Sequence, residues 1–593
     1  MVIDSKNLGE MSNAVRATAL RALRHAKNGH IGIALGAADI ITMIYAVFLN
    51  PAHDRFVLSA GHGSALLYSV LKLAGYRIGD LDSLRRLNGL PGHPEFGLDG
   101  VDATTGPLGQ GVANAVGMAL GEKHMKTDGM VYCLCSDGDL MEGVANEAIG
   151  FAGRYKLNNL VLLWDNNGVS MDGVAQTDVN VAMRMRAAGW NVRVANGYDF
   201  DELYDAISEK SDGPIFVQCN TVLGAGSSLA GTSRAHAFEL PDSEIAQMIE
   251  SLDSWHGREL WGMIARSHSA SRARHYASVA NPLLPDMPHF ASTREMSGAY
   301  LSRIIRRSPN IMCGSADLGQ STYVHVDGTV DITADDFSGN YINYGVREHA
   351  MAAIMNGLAY CGLRAVGSTF LAFSDYMRGA MRLSALSGLP VVYVFTHDTI
   401  AVGPDGPTHQ PVEQLAGLRL IPNMNVFRPC NMIEVAWAWR TALAEESRPS
   451  CIILGRQKIM RTPAPVWGYV DAGGYLIYKP KIGRIRLTII ATGSEVPLAI
   501  AVARRLGGTQ VASIPSVSHF REMDEDYKRY ILRGHVIAIE AGATASWFEF
   551  ADDVIGVDDF GLSGPGDMVY REYGFDADAI VTSIQARMKN VRI

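Results

Sequence analysis

The chain has 593 residues, 48% of them hydrophobic, and its 52 lysines and arginines against 61 aspartates and glutamates leave a formal charge of −9. At roughly 100–200 residues per domain this is an ordinary multidomain globular composition, which excludes a single small binding module and a disordered chain. The mild negative charge offers no basic stripe for nucleic acid, and the 61 glycines point to tight turns or loops that bring bare backbone to a ligand.

The N-terminus, Met1-Val2-Ile3-Asp4-Ser5-Lys6, lacks a basic segment followed by an apolar core, so no signal peptide is expected. The apolar stretch 31–49 is nearly long enough to span a bilayer, but Asp39 interrupts it and Gly32 and Gly36 break its start. It reads as a core helix entered from a glycine-rich turn, and no membrane partner is expected. The seven cysteines form an odd set without Cys-x-x-Cys spacing, which predicts buried free thiols in a reducing, cytoplasmic setting.

Farther along, 130–135 is an apolar run ending in Ser136-Asp137-Gly138-Asp139. Val144, Ala148, Phe151 and Ala152 then recur at helical spacing, and 160–164 is a second apolar run ending in Asp165-Asn166-Asn167-Gly168. This is a β–α–β unit with continuous apolar strands, the pattern of a parallel sheet covered on both faces. The same alternation recurs around 391–395, which runs into Thr396-His397-Asp398, and around 487–490, which runs into Ala491-Thr492-Gly493-Ser494. In open α/β sheets ligands bind at such strand ends. Two stretches read as linkers, 266–290 and 461–474. The expected fold is therefore α/β with three consecutive domains, 1–280, 281–470 and 471–593, each built on a mostly parallel sheet flanked by helices.

Asp137-Gly138 at one strand end and Asn167 at the next, thirty residues on, let a carboxylate and an amide oxygen converge on one hard cation. Gly138 lets backbone approach a diphosphate, and the helix that follows offers unpaired N–H groups. An equally simple reading makes Asp137 a helix cap and Asn166-Asn167-Gly168 a turn.

The wider text decides between the two. SAGHGSALLYSVLKLAGY (59–76), PGHPEFG (91–97), TTGPLGQGVANAVGMALGEKH (104–124), SDGDLMEGVANEA (136–148), NYINYGVREHAMAAI (340–354), GSTFLAFSDY (367–376), THDTIAVGPDGPTHQPVEQLAGLR (396–419) and ATGSEV (491–496) together resemble transketolase, a thiamine diphosphate enzyme family, over essentially the whole chain. The resemblance implies a diphosphate-binding domain, a pyrimidine-binding domain and a smaller C-terminal domain. It implies Mg²⁺, with Ca²⁺ or Mn²⁺ as substitutes, held by Asp137, Asn167 and the Val169 carbonyl. His62, Gly138 and the loop Thr104-Thr105-Gly106-Pro107-Leu108 would hold the cofactor, and Phe370, Phe373 and Tyr376 would pack on its aminopyrimidine. Glu348, in Gly345-Val346-Arg347-Glu348-His349, matches the carboxyl that shares a proton with the aminopyrimidine N1′.

His409, His236 and His30 are the implied proton-transfer groups. His30, His93 and Asp405 would hydrogen-bond sugar hydroxyls, with Asp405 a buried acceptor that penalises the wrong epimer. Arg294, Ser321, His397 and Arg456 match a phosphate clamp, which favours phosphorylated sugars over free ones. Two departures stand out: Ser136 replaces a usual glycine, and Ala235-His236-Ala237 replaces the usual Ser-His-Gly in a shorter loop. Glu142 and Glu147 resemble acids at a dimer interface but equally suit a helix N-terminus. The implied activity is transfer of a two-carbon ketol group from xylulose 5-phosphate to ribose 5-phosphate or erythrose 4-phosphate, by a homodimer with active sites at the subunit interface. Dihydroxyacetone synthase and deoxyxylulose phosphate synthase are the enzymatic alternatives, and the intact clamp argues against both. An inactive homologue would have lost Glu348, Asp137 or the histidines, and none is lost.

Overall fold

The apolar run Val131–Ser136 is buried along its whole length, as a strand must be when helices cover both faces of its sheet. In the computed structural model, which describes residues 4–265 and 276–588, it is the second strand of a five-stranded parallel sheet. That sheet comprises β1 (Arg55–Leu58), β2 (Val131–Ser136), β3 (Leu160–Asn166), β4 (Asn191–Asn196) and β5 (Ile215–Asn220), in the order β1-β2-β3-β5-β4. The register pairs Ser136 with Asp165 and Asn166 with Asn220, so the polar residues that end each strand lie along one edge.

The described residues divide into two units, one running to 265 and including 333–338 and 353–362, the other taking the rest. In the first, the helix Ser5–Ala26 packs on the helices Ser64–Leu73, Asp242–Leu252 and Trp255–Ala265. Trp261 is fully buried there, with its indole N–H donated to the Met11 carbonyl at 3.0 Å, which removes the cost of burying that group. The stretch 31–49 is not one helix. It forms Ile31–Gly36, Ala38–Met43 and a π-helical turn Ile44–Phe48. Asp39 is tolerated in this core because it pairs with Arg16 at 2.6 Å at the start of the second segment.

The second unit holds two main sheets besides an antiparallel pair, Phe290–Ala291 with Ile459–Met460. The larger is wholly parallel and comprises β6 (Ile311–Ser315), β7 (Tyr341–Asn343), β8 (Arg364–Phe370), β9 (Val392–Thr396), β10 (Asn425–Phe427) and β11 (Ser450–Leu454), ordered β7-β6-β8-β9-β11-β10. Phe370 pairs with Thr396 and Thr396 with Leu454, which aligns the segments that follow these three strands. The smaller sheet comprises β12 (Tyr475–Tyr478), β13 (Leu487–Ala491), β14 (Thr509–Ser513), β15 (His535–Ile539) and β16 (Asp553–Ile555), ordered β12-β14-β13-β15-β16 with β12 antiparallel. All seven cysteines are free, six of them buried and Cys361 partly so. Among the described residues no helix is long and apolar enough to cross a membrane. Met1–Ile3 and the first ten residues of the 266–290 linker lie outside the described residues.

Candidate active site

Four histidines far apart in sequence meet in the first unit. The His30 ring lies 5.2 Å from His62, 6.2 Å from His93 and 5.5 Å from His236, and His62 stacks on His236 at 5.2 Å. Each is brought by a loop or a short helical turn: His30 precedes a helix, His62 follows β1, and His236 ends the turn Ser233–His236. The altered loop around His236 therefore still delivers its imidazole. Burial holds all four below the usual histidine range. His30 is pushed down to about 4, by burial first, then by Arg85, His236 and His93. Arg85 lies 3.3 Å from His30 Nδ1 and is anchored by Asn28 at 2.8 Å.

At the ends of β2 and β3 the structure brings Asp137 and Asn167 together. Asp137 is 2% exposed and neither of its oxygens makes a hydrogen bond. Burial, then the neighbouring Asp165, push its pKa up to about 7, while the Trp164 indole and the Gly168 and Asn167 amides pull it down. A buried carboxylate that donors approach without forming a well-aligned hydrogen bond suits a cation. Asn167 is aimed by Asp165, which accepts its Nδ2 at 3.0 Å, and its Oδ1 accepts the Val169 N–H at 3.0 Å. Among the described residues no group of three or more His, Cys, Asp or Glu could hold a metal by itself, so a cation there needs oxygens from another source, as a diphosphate supplies. Glycines let the backbone pack closely at this corner. A Cβ on Gly138 would meet Leu108 at 2.7 Å, and Gly106, at φ +144°, adopts a conformation that suits glycine. Pro107 is exposed beside it.

Two residues not singled out in the sequence hold this corner. Asp139 accepts Ser59 Oγ at 2.6 Å and the Gly109 N–H at 2.7 Å on one oxygen, and the Ser136 N–H and Oγ, each at 2.8 Å, on the other. It thus ties the 104–109 loop to the end of β2. Ser136 is the partner that completes a capping box on the helix Asp137–Met141, so the serine adds a hydrogen bond and leaves Asp137 clear. Asp165 is the second. The acidic spacing around Asp137 was the available signal for both. Glu142 precedes the helix Gly143–Arg154 without capping it and is exposed, and Glu147 lies one turn farther on and is partly buried.

The second unit carries the remaining residues. Glu348 opens the helix Glu348–Tyr360, is 8% exposed, and accepts Thr369 Oγ1 at 3.0 Å. Phe370 and Phe373 are near-parallel at 6.1 Å, Tyr376 lies 6.3 Å from Phe373, and His409 meets Phe373 edge-on at 5.2 Å. His397, which follows β9, packs against Phe370 with ring centroids 3.7 Å apart. Burial first, then Arg294, Arg456 and His409, push it down to about 3. Arg294 donates to the Ser321 carbonyl at 2.7 Å and Arg456 to the Val402 carbonyl at 2.8 Å. The clamp residues thus converge from the ends of β9 and β11 and from the helices Thr293–Ile305 and Gly319–Thr322. Asp405 differs from expectation. It is exposed rather than buried, on a turn whose flanking Gly403 and Gly406, both of positive φ, pack closely against residues 563–566.

The chain matches the family models of the transketolase thiamine diphosphate binding domain over residues 8–264, the transketolase pyrimidine binding domain over 290–461 and the transketolase-like C-terminal domain over 473–576. It is 38% identical to the transketolase of Bacillus subtilis over 653 aligned residues, covering 96% of this chain and 98% of that one. Among solved structures it is similar to the Campylobacter jejuni transketolase, with TM-score 0.88, 34% identity and coverage of 99% of this chain and 100% of that one. It is also similar to a mutant transketolase from Pichia stipitis in complex with xylulose 5-phosphate, with TM-score 0.85, 32% identity and coverage of 98% and 97%.

Proposed function

The chain belongs to the transketolase family of thiamine diphosphate-dependent transferases, and from that premise we propose that it moves a two-carbon ketol group from xylulose 5-phosphate to ribose 5-phosphate or erythrose 4-phosphate in the pentose phosphate pathway. The observation that carries the choice of substrate is the joining of two features by one residue. His397 lies beside Arg294 and Arg456 and also packs on Phe370, the first ring of the aromatic row. A phosphorylated sugar held by the cations therefore points toward the aromatic row. The complex of the Pichia stipitis relative with xylulose 5-phosphate supports the same substrate class.

When bound, thiamine diphosphate would supply an acidic thiazolium carbon, the nucleophilic centre that ketol transfer requires. Asp137, Asn167 and the Val169 carbonyl hold Mg²⁺, or Ca²⁺ or Mn²⁺ in its place, against the diphosphate. His62, Gly106, Pro107, Leu108 and Gly138 line the diphosphate. Phe370, Phe373 and Tyr376 hold the aminopyrimidine, and Glu348, steadied by Thr369, holds a proton at its N1′. His409, His236 and His30 move protons at the reacting hydroxyls, and neutrality suits His236 and His30 to accept one. His30, His93 and Asp405 orient the sugar, and Arg294, Ser321, His397 and Arg456 bind its phosphate.

The reading includes a homodimer in which Glu348 serves a cofactor held by the partner subunit. The 68% exposure of Tyr376 and 75% exposure of Val346 on the single chain support it, since both side chains stand open to a second copy. It also includes domain boundaries near 280 and 470, with Glu142 and Glu147 at the interface. A reducing, cytoplasmic setting is supported by the seven free thiols.

The test is a coupled assay with xylulose 5-phosphate and ribose 5-phosphate, with and without thiamine diphosphate and Mg²⁺. Release of glyceraldehyde 3-phosphate only when cofactor, metal and acceptor are all present is the expected result. Release that does not depend on the acceptor, or silence with bound cofactor demonstrated separately, overturns the reading.

A further inference from the structure

Arg428, just after β10, is buried in the second unit, at 1% side-chain exposure, between the segments that follow β9 and β13. Its Nε donates to Asp398 Oδ2 at 2.9 Å, immediately after His397. Its Nη1 donates to Glu495 Oε2 at 2.5 Å and Thr492 Oγ1 at 2.8 Å, and its Nη2 to Ser494 Oγ at 3.1 Å. The other oxygen of Glu495 accepts the Tyr570 hydroxyl at 2.9 Å, and that hydroxyl lies 3.0 Å from Thr399 Oγ1. Gln457 closes the ring, its Nε2 reaching Thr399 Oγ1 at 3.3 Å and the Tyr570 hydroxyl at 3.4 Å.

The network brackets two clamp residues. Asp398 and Thr399 follow His397, and Gln457 follows Arg456. His397 itself has φ +61°, a conformation that costs a non-glycine residue energy and persists when its surroundings over-determine it. The same C-terminal segment supports the loop beyond. Gln410 donates to the Leu562 carbonyl at 3.0 Å, and a Cβ on Gly566 would meet the Ala401 carbonyl oxygen at 2.5 Å. A buried, many-membered polar network of this kind fixes geometry more than it adds net stability.

We propose that Glu495 and Tyr570 are positioning residues for the phosphate clamp, locking the 397–399 and 455–457 segments through Arg428 and the Tyr570 hydroxyl so that the imidazole of His397 and the guanidinium of Arg456 face one phosphate. The C-terminal sheet thereby sets the affinity for phosphorylated substrates without touching them. The inference rests on the reading that His397 and Arg456 bind that phosphate.

The mildest test removes one oxygen. Tyr570→Phe is expected to raise KM for xylulose 5-phosphate about three- to tenfold, the effect of one hydrogen bond that holds a charged group in place. Its kcat and KM with the unphosphorylated donor hydroxypyruvate should stay unchanged. In an Arg456→Ala background the same substitution should have less than half its effect, because the group it positions is gone. An equal loss on both donors, or full additivity with Arg456→Ala, overturns the proposal. If Arg456→Ala alone fails to separate the two donors, the phosphate assignment falls and the proposal with it; if Arg456→Ala separates them and Tyr570→Phe does not, the positioning role alone falls. Glu495→Gln, which keeps the shape and removes the charge, should reproduce the donor selectivity of Tyr570→Phe in the folded holoenzyme.

Discussion

Thr369, at the penultimate position of β8, donates from Oγ1 to Oε1 of Glu348 over 3.0 Å at the start of the helix Glu348–Tyr360. One carboxylate oxygen is thereby engaged and the orientation of the other is set. Glu348→Gln should keep the shape and lose proton sharing, lowering kcat about 10²–10⁴-fold. Thiamine diphosphate binding, measured by calorimetry with Mg²⁺ present, should survive. Thr369→Val should cost about tenfold in kcat, as expected for an orienting hydrogen bond. Wild-type turnover in Glu348→Gln removes Glu348 from the reaction.

Asp137 presents the opposite situation, a buried carboxylate whose oxygens have no hydrogen bond. Asp137→Asn removes the cost of burying that charge, so the variant without cofactor should melt higher than the wild type. It should also lose the rise in Tm that Mg²⁺ and thiamine diphosphate together give the wild type. An unchanged cofactor-dependent rise shows that the cation binds elsewhere.

His30 titrates far below an ordinary imidazole, at about 4 against 6.5. Between those values the unfolded chain binds the proton and the folded one does not, so this group destabilises the fold progressively as pH drops from 6.5 toward 4, and contributes no such penalty above that window. NMR of labelled histidines should place the His30 midpoint near 4. Arg85→Met, which removes the neighbouring cation, should move that midpoint upward. A midpoint near 6.5 in the wild type excludes a neutral, poorly hydrated cluster at lower pH.

Gly138 and Leu108 are matched to each other. An added Cβ at 138 would lie 2.7 Å from Leu108 Cδ1, an overlap whose relief costs about 1–3 kcal/mol. Gly138→Ala should therefore weaken cofactor binding and lower stability, and Leu108→Ala in the same chain should recover most of the stability. Failure of the second change to compensate places the strain elsewhere in the loop.

Much of this molecule was legible in its sequence. Continuous apolar runs such as Val131–Ser136 and Val392–Thr396, each ending in polar residues, announced parallel strands, because a strand buried on both faces has no solvent side to mark. The Asp137-to-Asn167 spacing predicted two polar strand ends side by side, because one β–α–β unit joins neighbouring strands, and the structure brings those ends together. The motif text carried the resemblance, and with it Glu348, the aromatic row and the clamp.

The rest was decided by tertiary contacts. His30, His62, His93 and His236 belong to four segments, and their meeting depends on how the strands are ordered and what packs over their ends, which local pattern does not encode. Asp139 looked like one more acid in a loop until four hydrogen bonds made it the tie between two segments. Asp405 was expected buried and lies exposed, on a turn whose flanking glycines pack against residues 563–566. The 31–49 stretch forms three segments, and Asp39 is tolerated in their core because it pairs with Arg16. Arg428 carried no motif at all, and its role exists only where the segments after β9 and β13 close around it. Local sequence determined elements and chemistry here, through periodicity and side-chain type; the tertiary structure decided which distant side chains share a desolvated space, where hydrogen bonds and charges act most strongly.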